Sequence, residues 1–217
     1  MIIDIHTHVW PDELAARAVS SLSELGGIPH HHDGTVAGLV AKMDMAGVDI
    51  SVIQPVATKP SQVASINDWA ASLRSDRIAP FGAMHPDLPD PASEIERMKG
   101  LGLAGFKMHP EYQEFAPHED RMRPILHAAA RYGLAVLFHA GADIGFETIR
   151  GTADTYARVL DDFPDLTVVL AHMGGFQQWE EVSRTLAGAD VWLDTAYTLG
   201  HLSDEDFIAL VRAHGIS

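Results

Sequence analysis

Short apolar runs rich in β-branched residues alternate along the chain with longer stretches in which apolar positions recur every three or four residues. The runs that read as strands are "IIDI" (2–5), "ISVIQPV" (50–56), "IAPFGAM" (78–84), "LAGFKM" (103–108), "AVLFHA" (135–140), "LTVVLAH" (166–172) and "DVWLDT" (190–195). Helical spacing covers 12–25, 35–46, 61–75, 91–100, 119–132, 152–163, 176–187 and 203–214. Glycine or proline punctuates many of the joints, as in "RYGL", "DFPDL" and "KGLGLAG". Near-continuous apolar strands separated by helices predict a parallel sheet whose outer face is covered. The one irregular insertion, "GGIPHHHDGT" (26–35), lies inside the first crossover.

The polar residues choose between an open sheet and a closed one. They recur at the C-terminal ends of the strands: His6 and His8, Lys107 and His109, His139, His172 and Asp194. A closed (β/α)8 barrel gathers all its strand ends around one mouth, whereas an open sheet collects ligands only at a switch point. The pattern therefore predicts an α/β barrel, formed by one domain over residues 1–217.

Composition narrows the partners. With 15 basic and 30 acidic residues the formal net charge is −15, which argues against nucleic acid or an anionic membrane surface. No apolar run approaches the roughly 20 residues of a membrane span, and no basic leader precedes an apolar core. A cytoplasmic location is the expectation. There is no cysteine, so a tight metal site must use histidine and carboxylate, and 13 histidines are present.

"HTH" places His6 and His8 on one face of an extended strand, about 6–7 Å apart along it, close enough for both imidazoles to bend onto one cation. Taken alone, the pair reads more readily as two satisfied histidines at a strand edge. "LFHAGAD" and "LAHMGG" put His139 and His172 at two further strand ends, each before a small or glycine-rich turn. Four histidines at three strand ends point to a metal. In "GLAGFKMHPEYQEF", Lys107 and His109 share a strand face. A lysine aimed into a barrel mouth needs a counter-charge, either a substrate anion or a neighbouring carboxylate. Trp10, just past the first strand, walls the pocket or forms a packing corner. His85 ends the third strand, where it could line the mouth; His30–His32 and His118, His127, His201 and His214 read as surface positions.

With these residues in place the chain resembles the amidohydrolase-related family, in its branch of TIM-barrel metal-dependent hydrolases, which also holds aminocarboxymuconate-semialdehyde decarboxylase and related decarboxylases. The similarity rests on "IIDIHTHVWPDELAARAV", "GFKMHPEYQEF", "VLFHAGAD", "DFPDLTVVLAHMGG" and "VWLDTA", in the family's order. The resemblance implies a (β/α)8 barrel with His6, His8 and His139 as ligands of one divalent metal, commonly Zn2+. It makes His172 a catalytic or second-metal residue, and the reading of the strand face assigns Lys107, His109 and Trp10 to a small-molecule substrate. The family also uses an aspartate at the end of an eighth strand. No such strand follows "LVRAHGIS", so the expectation is a barrel lacking its last βα unit, with exposed edges that favour homo-oligomers. The implied activity is metal-assisted hydrolysis of a C–N or C–O bond. Decarboxylation on the same site is the alternative, and an inactive metal-binding fragment is a further one.

Overall fold

The computed structural model describes residues 1–215. Eight parallel strand segments alternate with helices: β1 (Ile3–Thr7), α1 (Asp12–Gly26), α2 (Val36–Ala46), β2 (Ile50–Ile53), α3 (Val63–Ser72), β3 (Ile78–Pro80), β4 (Gly82–Ala83) and α4 (Pro91–Gly100). There follow β5 (Gly105–Met108), α5 (Arg123–Tyr132), β6 (Ala135–Phe138), α6 (Ala153–Asp162), β7 (Val168–Leu170), α7 (Trp179–Thr185), β8 (Trp192–Leu193) and α8 (Asp204–His214). The run at 78–84 is thus two short strands that share one barrel position. They part at Phe81, whose N–H donates to Ile53 O at 3.0 Å, an ordinary ladder bond. β3 closes the sheet β1-β2-β3, and β4 opens the sheet β4-β5-β6-β7-β8. Seven barrel positions result, and among the described residues β1 and β8 do not pair with each other.

Helix ends follow from local sequence. Thr35, Asp90, Thr152 and Ser203 accept N–H bonds from the first turns of α2, α4, α6 and α8. Asp12 and Glu13 face the N-terminal dipole of α1, and Gly27 ends that helix in the left-handed region. No described helix is long and apolar enough to cross a membrane.

Side-chain alternation builds two apolar layers. Phe106, Met108, Val136, Phe138, Val168 and Leu170 point outward into the large core beneath the helices. Val52, Phe81, Leu137 and Val169, with Ile5, Ala79 and Ala135, fill the barrel interior. Continuing the inward parity of Leu137 by two residues brings His139 to the mouth. On β1 the parity breaks: Ile5 packs in the interior and yet His6 lines the cavity. The pairing of β1 with β2 shifts register between Asp4 and Thr7, and this irregularity re-aims the histidine.

Candidate metal centre

Strand ends deliver the polar side chains to one cavity of about 1360 Å³, whose lining includes His6, His8, Trp10, Lys107, His109, His139 and His172. All seven sequence-predicted site residues therefore share one space. His85 is buried elsewhere, with its Nδ1 accepting from Asp87 N. His30 and His31 are exposed, and the Nδ1 of His32 accepts from Gly34 N.

Three of the imidazoles are fixed by a partner. His6 Nδ1 donates to Asp194 Oδ2 at 2.7 Å, which leaves the lone pair of its Nε2 facing Lys107 Nζ at 3.5 Å. His172 Nδ1 donates to Ala196 O at 2.8 Å, and His139 Nε2 donates to Ala142 O at 3.2 Å. A carbonyl oxygen only accepts, so these bonds assign the proton and leave lone pairs on His172 Nε2 and His139 Nδ1. Those two nitrogens face each other at 3.2 Å. With no proton between them the contact is repulsive. It matches the roughly 3.3 Å that separates two ligands of a tetrahedral cation at bonds near 2.0–2.1 Å.

Electrostatics hold the rings neutral and ready to ligate. Burial, reinforced by the nearby Lys107 ammonium, pushes His6 down to about 4 against the pull of Asp194. Burial likewise drives His8 and His139 well below the usual imidazole value and lowers His172. Asp194 runs the other way: burial would raise it, but the His6 hydrogen bond and surrounding positive charge hold it at about 2. Burial draws Lys107 down to about 7, with Asp194 and Asp143 restoring part of its charge. Among the described residues, two sets of three donor groups lie within 4.8 Å of one another: His6, His172 and Asp194, and His109, His139 and Asp143. His8 belongs to neither set, although its ring lies 5.1 Å from that of His6. Nitrogen-rich, neutral, buried donors with paired lone pairs fit a divalent cation.

Tight backbone geometry supports the cluster. Gly141, at φ +82°, bridges to Phe176, whose backbone lies where any Cβ would project. The loops after β6 and β7 are thereby clamped together just beyond His139 and His172. His172 itself sits at φ +59° and Met173 at φ +54°, a conformation non-glycine residues rarely adopt. Asp194 Oδ1 accepts from His172 N at 2.8 Å, Met173 N donates to Asp194 O at 2.7 Å, and Trp179 Nε1 donates to His172 O at 2.9 Å. These bonds over-determine the strained turn.

Three acidic residues at the site went unassigned in the sequence reading. Asp194 was seen as a strand end but given no role; Asp143 lies four residues past His139 in "HAGAD", and Glu111 two past His109 in "HPEY". Asp143 Oδ2 accepts from His109 Nε2 at 3.2 Å, and Glu111 Oε2 lies 3.7 Å from His109 Nδ1. Burial raises the Glu111 carboxyl against the pull of the backbone N–H groups that it accepts from. Proximity in sequence to a strand-end histidine was the only signal for these two acids.

Comparison with known proteins places the whole arrangement. No curated protein matches the sequence. Solved structures do: 5-carboxyvanillate decarboxylase LigW from Sphingomonas paucimobilis (19% identity, TM-score 0.68, 98% of this chain and 84% of that one) and an uncharacterised TIM-barrel protein from Bordetella bronchiseptica (20%, 0.70, 95% and 79%). A 5-carboxyvanillate decarboxylase from Novosphingobium aromaticivorans, complexed with manganese and 4-hydroxy-3-methoxy-5-nitrobenzoic acid, aligns at 14% identity and TM-score 0.69 over 98% of this chain and 82% of that one. The likeness establishes the TIM-barrel fold. The sequence model of the amidohydrolase family matches residues 3–214, the span that delivers every strand end described above. The chain belongs to the amidohydrolase family.

Proposed function

We propose that the chain is a metal-dependent enzyme acting on a small carboxylic acid, with decarboxylation as its reaction. The observation that carries this reading is Lys107: it is 1% exposed, lines the cavity, and has His6 Nε2 as its polar neighbour within hydrogen-bond reach. A buried ammonium without an ion-pair partner is costly, and a substrate carboxylate supplies the missing charge. His6, His8 and His139 would hold the cation, as the resemblance implies, with His172 Nε2, 3.2 Å from His139 Nδ1, as a further donor beside them. An imidazole set of this kind suits zinc, although the Novosphingobium relative holds manganese. A cation there supplies Lewis acidity, polarising a substrate oxygen and acidifying water.

The chain's own groups then divide the work. Lys107 orients the carboxylate, and the rings of Trp10, Tyr112 and Phe176 wall the cavity. His109, held between Asp143 and Glu111, lines the cavity and contacts the bound acid. Hydrolysis is the second reading, and Asp194 argues against it as the base. Its Oδ1 accepts from His172 N and Ala196 N, its Oδ2 accepts from His6, and its pKa is held at about 2. A base is most effective with a pKa near the working pH. The decarboxylases among the solved relatives support the first reading. The test is a panel of hydroxybenzoates, esters, lactones and amides offered to zinc-loaded and chelated protein. CO2 release that requires the metal supports decarboxylation, ester or amide cleavage alone favours hydrolysis, and a protein that retains no metal overturns both.

A further inference from the structure

We infer that α1 forms an apolar subsite for this cavity, so that the acid accepted at Lys107 carries an alkyl extension. The inference rests on the carboxylate reading above. The cavity exceeds the roughly 300–1,000 Å³ that holds a drug-sized ligand, at about 1360 Å³. Its imidazoles and Lys107 come from the strand ends. Along α1 the same space is lined by Leu14, Ala18 and Leu22, stacked one helical turn apart, with Asp12 and Glu13 at the start of the helix.

α1 is not used as an ordinary covering helix. Only Ala15 and Val19, at the edge of its apolar stripe, are buried. Leu14 and Leu22 remain 40% exposed, so apolar surface faces the cavity with no protein partner over it. Both ends of the helix are held. At the base, Gly34 lies against Val19 and Trp10, and Trp10 N donates to Gly34 O at 2.9 Å. At the far end Leu25 lies against Gly145 and Gly26 against Ile144, on the loop that follows His139. Ile144 also lines the cavity and is 46% exposed. The helix thus frames an apolar gallery continuous with the site of the buried ammonium. A ligand anchored by its carboxylate at Lys107 would extend along this gallery and cover Leu14, Leu22 and Ile144. Continuity with an anion-binding end selects one occupant, the apolar tail of the same acid.

The experiment uses zinc-loaded protein and a 4-alkylbenzoate series from methyl to hexyl, with Kd measured by calorimetry. Each added methylene should tighten binding by about two- to fourfold, the upper figure being full transfer of a CH2 group from water. Leu14→Gln/Leu22→Gln should weaken the longer members progressively more than the methyl compound. Ala18→Trp, which fills the gallery with an apolar ring, should exclude the hexyl compound while methyl binding persists. Equal affinity from methyl to hexyl overturns the subsite and leaves the carboxylate reading standing. Failure of every member to bind overturns both.

Discussion

His6 Nδ1 and Asp194 Oδ2 meet at 2.7 Å across 188 residues of chain, from β1 and from the end of β8, the two strands that do not pair with each other. A charged hydrogen bond therefore spans the place where the backbone ladder stops. It also sets the His6 tautomer, so that the Nε2 lone pair is available to a cation. Carboxylates that orient a ligand histidine in this way typically contribute 10- to 100-fold in metal affinity.

Asp194→Ala should accordingly weaken zinc binding by about 10- to 100-fold. It should also lower the melting temperature of the metal-free protein, because His172 N and Ala196 N lose their acceptor. Competition with a chromogenic chelator measures the first effect and calorimetry the second. Zinc affinity unchanged by the substitution would remove Asp194 from the site.

The metal-free protein should lose stability as pH falls from about 6.5 to 4. His6 and His109 have folded values of about 4 against an unfolded value of 6.5. The unfolded chain therefore takes up protons first, and the stability present above pH 6.5 is lost on acidification. Each site contributes on the order of 3 kcal/mol across that window. Asp194, lowered from 3.8 to about 2, adds a further loss below pH 4 in the same direction. Melting temperatures of chelated protein from pH 8 to 4.5 give the answer, and a flat profile would show that the imidazoles are not buried neutral.

Lys107→Met keeps the bulk of the side chain and removes its charge. Carboxylate affinity should fall by about 10- to 100-fold, the worth of a hydrogen bond to a charged group, while zinc per chain stays constant. Elemental analysis and calorimetry with 4-methylbenzoate separate the two. Loss of zinc together with the lysine would make Lys107 a metal ligand.

Glu111→Gln and Glu111→Ala should differ. Glu111 Oε1 accepts from Arg150 N at 2.8 Å, and Oε2 faces His109 Nδ1. Glutamine keeps the side-chain volume and an oxygen that accepts from Arg150 N. Alanine strands two buried polar groups and should cost about 2–4 kcal/mol, read by urea denaturation. An equal cost for both variants would show that the acceptor at Arg150 N carries none of this stability.

Gly141→Ala tests the clamp behind the ligands. A Cβ at φ +82° would collide with the backbone of Phe176, where no side-chain rotation gives relief. Zinc affinity and melting temperature should fall together. Wild-type values for both would show that the two loops are free to separate.

The sequence by itself determined the alternation of strands and helices and the residues that stand at each strand end. These are local properties: period-two burial sets which face a side chain takes, and helix caps set where the next strand starts. The split of 78–84 at Phe81 and the shift between Asp4 and Thr7 were not legible, because both are pairing irregularities decided by the neighbouring strand. Nor was the partnership of Asp194 with His6, since sequence places it at the end of a strand without saying which strand end it faces. Which imidazole nitrogen carries the proton was likewise settled only by the carbonyls of Ala142 and Ala196. A ligand set is a matter of convergence in space: one chain order is compatible with many pairings of lone pairs, and only the folded arrangement of strand ends fixes which of them meet.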